Sequence, residues 1–189
     1  MSEICKKKGK KEAVVNKFPY LEFELPMKII LFSDASFANL PDNVSSSLGY
    51  IIFIMDRNYN SSAISWKANK IKRICRSTLA AETMALIEGL EECLYLKSVL
   101  EELGISLQII SVVDSKCLHD AIYSTKLVED KRLRIDIAAL KQMITQSKVS
   151  EIRWCSSEKQ IANVLTKHGA SPVQLMEVLR LGSLKTYIH

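Results

Sequence analysis

Two hydrophobic rhythms alternate along the chain. Short, nearly continuous apolar runs, "MKIILFSDAS" (27–36), "SLGYIIFIMD" (47–56) and "SSAISWKANKI" (61–71), predict three strands, the last two separated by the turn-rich "DRNYNSS". Such short connections predict an antiparallel meander. A helical period then takes over in "STLAAETMALIEGLEECLYLKSVLEELG", with Ser77 or Thr78 as N-cap and Gly104 just past the end. "SLQIISVVDS" predicts a fourth strand, "SKCLHDAIYST" a short helix, "DKRLRIDIAALKQMITQSK" a longer one and "EIRWCSS" a fifth strand. In "SSEKQIANVLTKHGAS" a further short helix is expected, with Ile161, Val164, Leu165 and His168 on one face and Asn163 on the other. "SPVQLMEVLRLG", with Pro172 in its first turn, predicts a last helix. The order βββαβααβαα implies an α/β fold, a mixed five-stranded sheet with helices on both faces. Residues 1–27 lack such a pattern and are expected to be a basic tail and linker, 28–169 the domain, and 170–189 a C-terminal helical extension.

Composition narrows the setting. With 189 residues, 48% of them hydrophobic, the chain can bury the core of one ordinary domain. No apolar run approaches the ~18 residues of a membrane span, and "MSEICKKKGKK" has no hydrophobic stretch behind its charges, so an intracellular, non-secreted protein is expected. Cys5, Cys75, Cys93, Cys117 and Cys155 form no C-x-x-C pair, and their odd number argues for reduced thiols. Of the formal charge of +5, much resides in Lys6, Lys7, Lys8, Lys10 and Lys11, opposed only by Glu3 and Glu12, which leaves the rest nearly neutral. Within that remainder, "WKANKIKRICR" gathers Lys67, Lys70, Lys72, Arg73 and Arg76 with no acid among them. This cluster can meet phosphates, although a solvated loop has the same composition.

Three acids stand out by position. Glu82 falls on the helical stripe of Leu86, Gly89, Cys93, Leu96 and Leu100, where a carboxylate facing the sheet needs a partner. Asp34 and Asp114 each come near the end of an apolar strand, "IILFSD" and "IISVVD", where open α/β sheets place their chemistry. Each acid alone has a bland reading: Glu82 paired with a lysine, either aspartate capping a turn or helix. Together, from two strands and the main helix, they point to a divalent-metal site, and hard oxygen ligands without His or Cys favour magnesium.

The segments "FSDASFANL", "GYIIFI", "ISWKANKIKRICRSTLAAETMAL", "VDSKCLHDAI", "KRLRIDIAALK" and "QIANVLTKHGAS", in this order, resemble the ribonuclease H domain that closes the Pol polyprotein of copia-type LTR retrotransposons. The match runs over about residues 18–184. The resemblance implies a ribonuclease H-like fold and hydrolysis of the RNA strand of an RNA/DNA hybrid, with two Mg2+ ions, or Mn2+ in their place, held by an Asp, Glu, Asp, Asp set. Asp34, Glu82 and Asp114 match its first three members, and the order disfavours integrase and transposase relatives, whose glutamate comes last. The fourth aspartate falls in a "Q-x-A-D-x-x-T-K" stretch that reads "QIANVLTK" here, so Asn163 stands at its place. Asparagine offers one carbonyl oxygen but no charge. Cleavage is therefore expected to be impaired or shifted to high magnesium.

The other candidates are weighed on the same footing. Glu158 is a poor substitute for the missing acid, as it reads more simply as a solvated loop residue. Asp136 is expected to pair with Arg132 on the surface of its helix. Trp66 reads as a strand aromatic packed in the core. Ser36 and the amides after Asp34 are candidates for the RNA backbone, and Lys67, Lys70, Lys72, Arg73 and Arg76 for the DNA phosphates, since a hybrid is read mostly by shape and 2′-hydroxyls. Two functional classes stay open: a retrotransposon ribonuclease H partnered by the reverse transcriptase domain of its polyprotein, or a non-catalytic relic or module that binds hybrids without cutting. The family implies the cytoplasm or a virus-like particle, and the lysine tail admits the nucleus.

Overall fold

The computed structural model describes residues 19, 21, 27–42 and 44–188, so the expected basic tail lies almost wholly outside the described residues. β1 (Met27–Ser36), β2 (Ser47–Met55), β3 (Ser61–Lys70), β4 (Leu107–Val113) and β5 (Glu151–Trp154) form one sheet in the order β3-β2-β1-β4-β5. The meander is antiparallel, as expected, while β4 pairs parallel to β1 and β5 parallel to β4. The long helix α1 (Thr78–Glu102) makes the first crossover; α2 (Lys116–Tyr123) and α3 (Lys131–Thr145) make the second. Ser77 caps α1 by accepting from the Ala80 amide, and Gly104, at φ 82°, follows its end.

Central strand β1 has no solvated face, which is why its sequence reads as a continuous apolar run. Ile29 and Leu31 enter one core with Leu86, Leu90 and Cys93 of α1 and Leu140 of α3. Ile30 and Phe32 enter a second core on the opposite face with Ile161, Val178, Leu184 and Ile188. Gly89 sets the closeness of the first layer: a Cβ there would stand 2.8 Å from Leu31 Cδ1.

The second layer is built from the chain after β5. A 3-10 helix (Ser157–Lys159), α4 (Asn163–Thr166), α5 (Val173–Leu181) and α6 (Lys185–Ile188) follow in turn. Residues 170–188 are tied to the sheet as well as packed on it. The Ser61 amide donates to Gly182 O at 2.8 Å, the Leu184 amide to Tyr59 O at 3.0 Å, and Arg153 Nη1 to Ile188 O at 2.7 Å.

Three expectations are corrected. The short helix expected within "SSEKQIANVLTKHGAS" is interrupted at Gln160, whose backbone is extended at φ −82°, ψ 93° and whose side chain turns inward to donate to Ser33 O and Val112 O. His168 consequently lies exposed beyond α4. Trp66 is 65% exposed, not in the core. It sits on edge strand β3, of which only the first three residues are buried. Asp136 pairs with Arg73 at 2.6 Å, so its partner comes from the segment between β3 and α1 and not from its own helix.

Candidate metal centre

The sheet topology brings the three acids together. Asp34 lies near the C-terminal end of β1, Asp114 directly follows the parallel β4, and Glu82 comes from the second turn of α1. Carboxylate oxygens of the three lie within 4.8 Å of one another. The bland readings fail here. The Ser115 hydroxyl, not Asp114, caps α2, and among the described residues no salt bridge reaches Glu82 within 4.0 Å.

Their electrostatics are those of an undercompensated anionic pocket. Asp34 is fully buried, and burial raises its carboxyl above the usual range despite hydrogen bonds from Thr166 and Lys167. Glu82 is pushed up to about 9, first by burial and then by the charges of Asp34 and Asp114, while the Lys167 charge and the Ala35 amide pull the other way. Oxygen donors, close spacing and excess negative charge fit a hard divalent cation.

The "QIANVLTK" stretch closes the pocket. Gln160 clamps the ends of β1 and β4 together through Ser33 O at 2.9 Å and Val112 O at 3.3 Å. The Thr166 hydroxyl donates to Asp34 Oδ2, and Ser157 Oγ to Asp114 Oδ2 at 2.7 Å. Lys167 Nζ stands 3.1 Å from Asp34 Oδ1 and 3.9 Å from Asp114 Oδ2 and also donates to Asn163 Oδ1. The Asn163 amide nitrogen donates to Ser157 O at 2.8 Å. Asn163 thus reaches the acidic cluster through a lysine. Gly49, opposite Asp34 in the β1/β2 register, lets α4 lie this close, since a Cβ there would meet Leu165 Cβ at 2.6 Å and Thr166 Cγ2 at 2.9 Å.

Ser157, Gln160, Thr166 and Lys167 were not singled out from sequence. Gln160, Thr166 and Lys167 had a signal in the "Q-x-A-D-x-x-T-K" stretch they match, and the lysine a second one in its spacing four residues after Asn163. Glu158 is exposed in the 3-10 helix. Ser36 ends β1, two residues past Asp34. Of the basic cluster, Lys67 pairs with Glu88 at 2.5 Å, Lys70 with Asp42 at 3.1 Å and Arg73 with Asp136 at 2.6 Å. The acids absent from the local sequence arrive from other elements. Lys72 and Arg76 are exposed on a loop anchored by buried Ile71 and Cys75. A groove of about 920 Å³ lies beside the acids rather than over them, along β5 between His119, Arg153, Trp154 and Tyr187. It touches the centre through Trp154 Nε1, which donates to Asp114 O at 3.0 Å.

No family model matches the chain. Among curated proteins it is similar to the retrovirus-related Pol polyprotein from transposon TNT 1-94 of Nicotiana tabacum, 27% identical over 139 residues, 72% of this chain and 10% of that protein. The corresponding polyprotein from transposon RE1 of Arabidopsis thaliana is 28% identical over 143 residues, 72% of this chain and 9% of the relative. The chain therefore spans about a tenth of the length of the curated relatives it matches. Among solved structures it resembles ribonuclease H1 LC11 isolated from compost, with TM-score 0.55, 18% identity and coverage of 74% of this chain and 92% of that one. It also resembles ribonuclease H1 of Halobacterium salinarum, with TM-score 0.54, 16% identity and coverage of 74% and 94%. LC11 has also been solved in complex with an RNA/DNA hybrid, where the match has TM-score 0.55, 18% identity and coverage of 73% and 93%.

Proposed function

We propose that this chain, whose fold is that of ribonuclease H and whose homologues are retrovirus-related Pol polyproteins of plant transposons, is a ribonuclease H domain that hydrolyses the RNA strand of RNA/DNA hybrids. The observation that carries the reading is the convergence of Asp34, Glu82 and Asp114 within 4.8 Å at the strand ends. Divalent cations held by Asp34, Glu82 and Asp114 would supply activation of the attacking water and charge stabilisation at the leaving 3′ oxygen. Magnesium is the ion that the donor chemistry favours. The protein's part is to hold its ligands still: Thr166 orients the Asp34 carboxylate, Ser157 that of Asp114, the Ala35 amide that of Glu82. Gln160 keeps the two strand ends at fixed separation. Lys72 and Arg76 carry cations suited to the phosphates of a bound hybrid, and Lys67, Lys70 and Arg73 serve there only by sharing their charge with an acid. The reverse transcriptase domain of the same polyprotein is the partner such a module would have.

A second reading rests on Asn163. Its amide is occupied at both ends, by Lys167 and by Ser157 O, and supplies no charge. On this reading the chain binds hybrids without cutting them. A cleavage assay on an RNA/DNA hybrid with magnesium or manganese titrated separates the two. Cleavage that Glu82→Gln abolishes supports the enzyme; hybrid binding without cleavage at any metal concentration supports the binding module.

A further inference from the structure

We propose that Lys167 is a built-in counter-ion: its ammonium takes one cation position of the acidic centre, Asn163 holds it there, and a divalent ion can be shared by Asp34 and Asp114 only after the lysine has left. The inference rests on the metal-centre reading above and adds a competitor to it.

The geometry is that of a cation seated among carboxylates, not of a surface ion pair. Lys167 Nζ lies 3.1 Å from Asp34 Oδ1 and 3.9 Å from Asp114 Oδ2. Together with Asn163 Oδ1, these oxygens come from three separate places in the chain, β1, the turn after β4 and α4. The Asp34 side chain is 0% exposed, so the ammonium contacts a carboxylate that water does not screen. The lysine side chain itself keeps 40% exposure, which leaves it a path out into solvent. Charge tells the same story. Among the described residues the Lys167 ammonium is the one salt-bridge partner of both Asp34 and Asp114, so an ion shared by these two carboxylates takes the place that the lysine holds.

Asn163 explains why the lysine stays. An aspartate at this position would attract a divalent ion and the lysine alike. The amide instead presents its oxygen to the lysine alone and anchors its nitrogen on Ser157 O at 2.8 Å. Lys167 follows Asn163 by four residues across α4, so the short helix sets the pair in register. Divalent-ion binding thus becomes an exchange, in which the Lys167 ammonium moves out and is freed for an incoming phosphate.

Calorimetric titration of the hybrid-free protein with Mn2+ and Mg2+ tests this without reference to cleavage. Removing a positive charge in contact with two ligands is expected to tighten divalent binding by about tenfold or more in Lys167→Met and Lys167→Gln. Lys167→Arg, which keeps the charge, is expected to bind more weakly than either. Thermal melts with and without Mn2+ run beside the titration. Variants that melt earlier than the parent without metal but later with it support the exchange, as does Lys167→Gln alone if Lys167→Met fails to fold. Equal or weaker ion binding in both neutral variants, or Lys167→Arg binding as tightly as they do, overturns it. If neither the parent nor any variant binds divalent ions, the metal centre itself falls. If ions bind and no hybrid is cut, only the enzymatic reading fails.

Discussion

At the level of single residues, Glu82 and Asn163 bear on the charge of the site and Gln160 on its frame. Glu82 has an ordinary value of 4.5 that the fold pushes up to about 9. Below 4.5 both folded and unfolded chains hold the proton, whereas between 4.5 and about 9 the unfolded chain releases it and the folded one keeps it. Metal-free stability must therefore fall as pH rises through that window, by on the order of 3 kcal/mol at pH 7. Glu82→Gln is expected to flatten this slope in denaturant titrations at pH 5 and pH 8; an unchanged slope would mean that Glu82 ionises freely. An aspartate in place of Asn163 would add a charge whose gross attraction for a divalent ion at ~4 Å and an effective dielectric of about 20 is on the order of 8 kcal/mol, much of it offset by desolvation. Gln160 is a structural counterpart, fully engaged and buried. Gln160→Ala strips partners from the Ser33 and Val112 carbonyls and is expected to cost about 2–4 kcal/mol in chemical denaturation. A cost under about 0.5 kcal/mol would show that water replaces the clamp.

At the scale of elements, the short helix α4 is the piece on which the site depends and the piece sequence pattern described least well. The strands, α1 and its Ser77 cap were legible because burial imposes a period on apolar residues over many positions. A four-residue helix has no period to show. Its placement comes from tertiary partners: Gln160 bonded across the sheet, Gly49 leaving space, Thr166 meeting Asp34. The three acids were legible for the opposite reason, since a carboxylate on an apolar stripe or at a buried strand end contradicts its surroundings. Trp66 and Asp136 were misjudged because exposure at a sheet edge and pairing between elements are not local properties. Gly49→Ala puts a methyl group 2.6 Å from Leu165 Cβ and 2.9 Å from Thr166 Cγ2 of α4 and should lift the helix from the sheet. The expected cost is about 1–3 kcal/mol of stability, with weakened divalent binding. A fully stable variant with parental ion affinity would show that α4 is not fixed by this contact.

For the whole molecule, two cores share one sheet, and residues past 170 help close the second together with Ile161 and Ala162. Val178, Leu184 and Ile188 are buried against Phe32 and Ile110. We propose that the C-terminal segment folds with the domain rather than trailing from it. Ending the chain at Ala170 should uncover that face, giving loss of the cooperative melt or strong binding of a hydrophobic dye. A truncated chain that melts as sharply as the parent would assign the segment to an appendage. The charge distribution makes a separate claim. Loss of Lys70, Lys72 and Arg73 together should lower hybrid affinity and reduce its salt slope, by about one unit for each phosphate contact removed. Unchanged affinity and slope would leave the cluster a structural one, spent on Asp42 and Asp136. Among the described residues no helix is long and apolar enough to cross a membrane.

Hybrid cleavage that depends on Glu82 and is limited by Asn163 is the behaviour proposed for this domain. The most direct measurement is the rate of hybrid cleavage against magnesium concentration for the parent, Glu82→Gln and Asn163→Asp, each shown to be folded. The account predicts slow, magnesium-hungry cleavage by the parent, none by Glu82→Gln, and a gain of about tenfold or more by Asn163→Asp at low magnesium. Cleavage that survives Glu82→Gln, or an Asn163→Asp protein no faster than its parent, would contradict it.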